Sequence, residues 1–340
     1  MLPAFFGLKG PVLDDEERAF FLSTHPAGYI LFARNIETPE QVRQLTEALK
    51  ELHGEDHLPI LIDQEGGRVA RLKPPHWSTH PPSNVYGSLY ETDKDAAHRA
   101  LNITGQIISA ELLALGITID CLPVLDVPQS DADPIIGDRA YAFTPDKVSV
   151  MGRWAAQSLL ENGVIPVIKH IPGHGRALVD SHLSLPEVKA SIDELRAVDF
   201  PPFKALSGMP MAMTAHVVYK AIDPENCATL SKTVIQDIIR GELGFDGLLM
   251  SDDLSMKALS GGFETRAKRA HDAGCDIILH CNGDMAEMQA IAAALPSIDE
   301  KCHMRLQKAM LSATSAPIAD RLEIDALIEE RAALLGLNKE

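Results

Sequence analysis

The chain has 340 residues, of which 46% are apolar and 23% charged, and a formal net charge of −17. This is ordinary globular composition, with length for one large domain or two medium ones. The acidity argues against a nucleic-acid or anionic-membrane partner, which calls for a basic footprint.

Mean hydropathy is near zero, and no apolar run approaches the roughly 18 residues that span a bilayer. The opening Met1-Leu2-Pro3-Ala4-Phe5-Phe6-Gly7-Leu8-Lys9 has no basic start, long apolar stretch or small-residue cleavage site, so no signal peptide is expected. Cys121, Cys227, Cys275, Cys281 and Cys302 are odd in number and widely spaced, and none forms a Cys-x-x-Cys pair. Cys121 and Cys275 lie in strand-like apolar runs and read as core thiols. A reducing, cytoplasmic location fits this usage.

In chain order, short apolar runs at 4–8, 28–32, 59–62, 118–124, 164–168, 211–215, 247–250 and 275–279 read as strands. They are continuous rather than alternating, as strands buried on both faces are. Helices fall between them. Thr38-Pro39-Glu40-Gln41 is a capping box with Pro at the first helical position, followed by the apolar face Val42, Leu45, Leu49 and Leu52. Thr144-Pro145 opens a helix that Gly163 closes. Ser191-Ile192-Asp193-Glu194 is a second capping box. Ser231 opens a helix that buries Val234, Ile235, Ile238, Ile239 and Leu243 and ends at Gly244. The tail at 324–337 reads as a closing helix, and the whole of 1–340 as a single domain.

Eight such units predict a (β/α)8 TIM barrel rather than a doubly wound open sheet. The polar residues support the barrel. Asp63, Asp126, Lys169-His170, His216, Asp252-Asp253 and His280 each fall at the C-terminal end of a different expected strand. A barrel gathers those ends around one mouth, whereas an open sheet spreads them along an edge. No Gly-x-Gly-x-x-Gly follows the first strand, which speaks against a dinucleotide cofactor.

Lys169-His170-Ile171-Pro172-Gly173-His174-Gly175 follows the fifth expected strand, and Asp180-Ser181-His182 comes next. His170 and His174 have the spacing of a helical zinc pair, but Pro172, Gly173 and Gly175 break any helix, and no metal is expected. In an extended loop, residues two apart point the same way, so Asp180 can orient the His182 ring as a general acid/base. The plainer reading is a turn-forming Asp beside a surface His. Asp252 ends the seventh expected strand and suits a nucleophile or electrostatic partner, while Asp253 reads as a helix N-cap. Asp63-Gln64-Glu65-Gly66-Gly67-Arg68-Val69-Ala70-Arg71 pairs carboxylates with guanidinium forks on a tight glycine turn, and Asp138-Arg139 repeats the pairing. Such pairs suit sugar hydroxyls better than an anion, which Asp63 and Glu65 would repel.

Taken together these segments resemble glycoside hydrolase family 3, in its bacterial β-N-acetylhexosaminidase branch. The matching pieces are Ile30-Leu31-Phe32-Ala33-Arg34-Asn35, the Asp63-to-Arg71 motif, Pro123-Val124-Leu125-Asp126, Gly137-Asp138-Arg139, Lys169-His170 with Pro172-Gly173-His174-Gly175, Asp180-Ser181-His182, and Phe245-Asp246-Gly247 with Ser251-Asp252-Asp253-Leu254-Ser255-Met256. They run in family order across about residues 28 to 260. Two positions depart from the family pattern: Ile171 stands where Phe is usual, and Lys257 where Glu is usual.

The resemblance implies Asp252 as nucleophile, His182 as acid/base with Asp180 as its partner, and Asp63, Arg71, Arg139, Lys169 and His170 as holders of an N-acetylglucosamine. It implies a small-molecule muropeptide substrate, no cofactor, a cytoplasmic role in cell-wall recycling and a monomer. A His acid/base leaves no second carboxylate to repel an anion, so phosphate in place of water stays open as the acceptor. Attack by the substrate's own acetamido group is disfavoured, because Asp15-Glu16, Asp193-Glu194 and Asp299-Glu300 all start or flank helices.

Overall fold

The computed structural model describes residues 1–129, 135–177, 185–313 and 321–337. Eight strands form its centre: β1 (Leu2–Gly7), β2 (Pro26–Leu31), β3 (Ile60–Ile62), β4 (Ile119–Asp120), β5 (Ile165–Ile171), β6 (Met211–Thr214), β7 (Leu248–Met250) and β8 (Ile278–His280). Each pairs in parallel with its neighbour in the order β8-β1-β2-β3-β4-β5-β6-β7. A parallel bridge between Met250 and Ile277 joins the last strand to the first of that order. The eight expected strands are all present, and the fold is a (β/α)8 barrel.

Burial on both faces explains the unbroken apolar runs. Phe5, Ile30, Leu61, Ile119, Val167, Met211, Leu248 and Leu279 meet in the lumen. Their strand neighbours Phe6, Leu31, Ile62, Ile168, Ala212 and Leu249 face the helix layer, as the two-residue period of a strand requires. Cys302, Leu306 and Ala309 of helix Glu300–Met310 join the lumen cluster and plug one end. Helix Arg321–Leu334 instead lies outside, against helix Lys94–Leu113.

The strand limits depart from expectation in one informative place. The polar Lys169-His170 signals a strand end, yet β5 continues through both, paired as Lys169↔Met213 and Ile171↔Thr214 across a register shift. A charged side chain is tolerated there because its head group is neutralised within the barrel mouth, as described below.

The caps follow the sequence with adjustments. Thr38 accepts the Gln41 N–H at 3.2 Å, but the Gln41 side chain returns to the Glu37 N–H at 2.8 Å rather than to Thr38. The Ser191/Glu194 box closes reciprocally. Ser231 accepts the Val234 N–H at 3.1 Å, and Gly244 turns the chain at φ +71°. All five cysteines are free thiols and buried. Among the described residues no helix is long and apolar enough to cross a membrane.

Helices Lys94–Leu113 and Pro145–Glu161 touch at Gly105, where an added Cβ would stand 2.2 Å from Ser158 Oγ and 2.6 Å from its Cβ. Ser158 is itself held by donating to the Asn102 carbonyl at 2.8 Å. Gly105→Ala is therefore expected to destabilise the fold by about 1–3 kcal/mol through overpacking, read from urea unfolding.

Candidate active site

The strand ends surround one cavity of about 400 Å³, lined among others by Asp63, Arg71, Arg139, Lys169, His170 and Asp252. These six come from four motifs far apart in sequence, so the barrel closure is what assembles them.

The segment after β3 builds one wall. Gly66 (φ +101°) and Gly67 (φ +55°) occupy the left-handed region, which favours glycine. The turn they make lets Glu65 N–H donate to the Val69 carbonyl at 2.9 Å. The buried Gln64 amide fastens the segment from beneath. Its oxygen accepts the N–H groups of Arg71 (2.9 Å) and Leu72 (3.1 Å), and its NH2 donates to the Leu72 carbonyl at 3.0 Å. Asp63, Glu65 and Arg71 are thereby presented together.

At the centre, Lys169 Nζ lies 2.9 Å from Asp63 Oδ1 and 2.6 Å from Glu65 Oε1. Arg71 Nη2 holds the other Asp63 oxygen at 2.8 Å, with its guanidinium 5.0 Å above the Phe32 ring. Arg139 forks onto Glu65, with Nε and Nη2 each at 2.8 Å. Burial pushes both carboxyls up, but Lys169 and Arg71 outweigh it at Asp63 and hold it well below the usual range. Arg139 and Lys169 do the same at Glu65, lowering it to about 2. Burial would depress Lys169, and the two carboxylates overcome this and raise it. The network is ionised throughout at neutral pH.

Asp138 and Arg139 part company. Asp138 pairs outward with Arg68 at 2.9 Å at the exposed rim, while Arg139 turns inward to Glu65. Glu65 is the junction of the cluster, although the family resemblance does not number it among the sugar-holding residues. Its signal was its place beside Asp63 on the glycine turn.

A second constellation surrounds Asp126. Its Oδ2 lies 2.7 Å from His170 Nδ1, and its Oδ1 accepts the backbone N–H of His170 (3.2 Å) and of His174 (2.6 Å). The two rings meet edge-on at 5.6 Å, although no helix brings them together. Burial, and then the neighbouring His170, lowers the His174 pKa to about 4, so this ring is neutral. Burial raises Asp126, but the two histidines prevail and lower it.

Asp252 and Asp253 divide their work. Asp252 N–H donates to the Thr214 hydroxyl at 3.2 Å, and its Oδ1 accepts the Asp253 N–H at 2.8 Å. Asp253 was expected to cap a helix. Instead its carboxylate gathers the Ser255 N–H (2.9 Å), the Ser255 hydroxyl (2.5 Å) and the Cys281 N–H (3.1 Å), because a turn and not a helix follows it. His216 bridges the Thr229 hydroxyl (2.7 Å) and the Asp253 carbonyl (2.9 Å), and His280 reaches Glu287 at 2.8 Å. Both are buried braces and neither lines the cavity. Asp180 and His182 lie outside the described residues.

A pocket with four carboxylates and four cationic side chains on its wall, at the C-terminal mouth of a (β/α)8 barrel, sits where enzymes of this fold carry their active sites. Residues 9–310 match the glycosyl hydrolase family 3 N-terminal domain. The chain is 39% identical over 308 residues to a β-hexosaminidase of Alkalilimnicola ehrlichii, covering 89% of this chain and 87% of that protein. It superposes on native NagZ from Neisseria gonorrhoeae with a TM-score of 0.87 at 33% identity, covering 99% and 98% of the two chains. The complex of that protein with N-trifluoroacetyl-D-glucosamine superposes with a TM-score of 0.86, also at 33% identity and the same coverage. The chain belongs to glycosyl hydrolase family 3 and is a glycoside hydrolase of the β-hexosaminidase type.

The His174 pKa sets a pH dependence. A neutral folded ring with a pKa near 4, against about 6.5 when unfolded, gives stability that is full above pH 6.5 and lost as pH falls towards 4. The loss approaches about 1.4 kcal/mol per pH unit within that window. Urea unfolding across the window is expected to show it, and His174→Asn is expected to flatten the profile relative to the parent.

Proposed function

We propose that the chain is a retaining exo-β-N-acetylglucosaminidase that releases terminal N-acetylglucosamine from peptidoglycan fragments. The observation that carries this reading is that Asp252 lines the same cavity as Asp63, Arg71, Arg139, Lys169 and His170. Three of these are cations, set against the carboxylates of Asp63 and Glu65, with Asp252 as a third anion. Cations already neutralised offer little to a free anion, while their remaining N–H groups and the carboxylate lone pairs suit sugar hydroxyls. Committing His170 Nδ1 to Asp126 leaves Nε2 as its ligand-facing nitrogen.

In the mechanism, an Asp252 oxygen attacks the anomeric carbon as the glycosidic bond breaks. His182, cationic and paired with Asp180, gives its proton to the departing oxygen. The resulting glycosyl-enzyme ester is opened by water, whose proton returns to His182, and two inversions give net retention. The acid/base role rests on the family resemblance and on the position of Asp180 and His182 directly after the His170–His174 turn.

The disaccharide of N-acetylglucosamine and anhydro-muramic acid, with or without its peptide, is the substrate class the family branch supports, with a cytoplasmic recycling role for one catalytic unit spanning 1–340 and acting as a monomer. The relative bound to N-trifluoroacetyl-D-glucosamine supports recognition of an N-acylated glucosamine.

Asp252→Ala is expected to lower turnover of an aryl N-acetylglucosaminide at least about 1,000-fold while leaving the circular dichroism spectrum unchanged; near-parental rates would refute the nucleophile. His182→Ala is expected to be much slower on the natural disaccharide and partly active on aryl glycosides, whose leaving groups need less protonation. Equal losses on both substrates would count against an acid role. Product identification with and without phosphate separates hydrolysis from phosphorolysis.

A further inference from the structure

The Gly66-Gly67 turn that presents Glu65 and Arg71 leans on a neighbouring strap, residues 79–82. Gly67 N–H donates to the His80 carbonyl at 2.8 Å. A Cβ on Gly66 would stand 2.4 Å from the Pro81 carbonyl oxygen, and one on Gly67 2.7 Å from Pro82 Cβ. The turn and the strap are therefore in contact along their length, and one cannot shift without the other.

The strap is in turn fixed from two sides. Glu111 accepts the Ser78 N–H at 2.8 Å and lies 3.1 Å from His80 Nε2. Arg331, from the last helix, reaches the other ring nitrogen, His80 Nδ1, with Nη1 at 3.0 Å, and donates from Nη2 to the Thr79 carbonyl at 2.8 Å. A guanidinium only donates, so Nδ1 accepts and the His80 proton sits on Nε2, directed at Glu111. His80, Glu111 and Arg331 are all shielded from solvent: the His80 side chain is fully buried and Arg331 is 4% exposed. Burial disfavours a charged His80, consistent with this tautomer.

We propose that Arg331 is a positioning residue for sugar binding, acting through His80 and the 79–82 strap on the turn that displays Glu65 and Arg71. The final helix thus belongs to the active site although it touches no substrate. Without Arg331, the buried His80 ring nitrogen and the Thr79 carbonyl lose their donor, and the strap is released to seek others. The turn then no longer holds Glu65 and Arg71 against Lys169, Arg139 and Asp63. This rests on the sugar-binding reading of the pocket.

The test is steady-state kinetics on an aryl N-acetylglucosaminide. Arg331→Met is expected to raise KM about ten-fold with kcat little changed, and to raise the inhibition constant for N-acetylglucosamine by the same factor. Arg331→Lys, which keeps a donor, is expected to recover part of the loss. Arg99→Met, on helix Lys94–Leu113, removes the exposed ion pair to Glu330, the residue before Arg331, and is expected to keep the parental KM. A folded Arg331→Met with parental KM, or an equal rise in Arg99→Met, overturns the proposal. Should Arg331→Met fail to fold, the parent enzyme supplies the second measurement. By reciprocity, saturating N-acetylglucosamine is expected to slow amide hydrogen exchange at Gly67, at His80 and in helix Arg321–Leu334. Unchanged exchange in that helix overturns the proposal as well. A parent chain that neither cleaves the aryl substrate nor binds N-acetylglucosamine would instead refute the sugar-binding reading itself.

Discussion

A lysine ammonium buried between two carboxylates holds the mouth of this barrel together. Lys169 projects from the C-terminal half of a parallel strand, and its charge is acceptable there only because Asp63 and Glu65 meet it at hydrogen-bond distance. Removing one partner from such a buried cluster costs about 3–5 kcal/mol, since the remaining charge stays desolvated. Replacing the whole cluster with apolar residues is often neutral or stabilising, so stability does not account for its presence. Polar atoms fixed around a cavity are what a hydroxyl-rich ligand requires, and a set already bonded to itself does not reorganise when the sugar arrives.

Around this centre, carboxylates take distinct tasks according to what surrounds them. Asp63 and Glu65 sit among cations. Asp126 is consumed by two backbone N–H groups and the His170 ring, which fixes the turn leading towards Asp180 and His182. Asp253 is consumed by the turn that follows β7. Asp252, its neighbour, keeps its place on the cavity wall. Both adjacent acids reach the cavity wall, and only the contacts show that Asp253 is the one taken up as a fastener.

The parts of the chain that were legible are those governed by local rules. Strands read correctly because residues buried on both faces must be apolar throughout. Helix starts at Thr38, Ser191 and Ser231 read correctly because an orphan N–H needs a nearby acceptor. The polar residues at strand ends were legible as a group. Their partners were not: Arg139 leaves its neighbour Asp138 for Glu65, and His216 and His280 prove to be braces. These choices pit an ion pair against solvent exposure at positions far apart in sequence, and no local pattern encodes the outcome.

By itself the sequence determined the barrel, its parallel strands, the glycine turn after β3 and the motif set that marks the family, since each follows from periodicity, steric freedom or residue identity. Tertiary structure alone decided that Glu65 joins Lys169 to Arg139, that Asp126 commands both histidines of the following turn, and that the last helix reaches His80 through Arg331. Those contacts join residues 44 to 251 positions apart. They exist because closing a ring of strands brings such residues within a few ångströms of one another, where the low dielectric makes each pairing strong and each unpaired group costly.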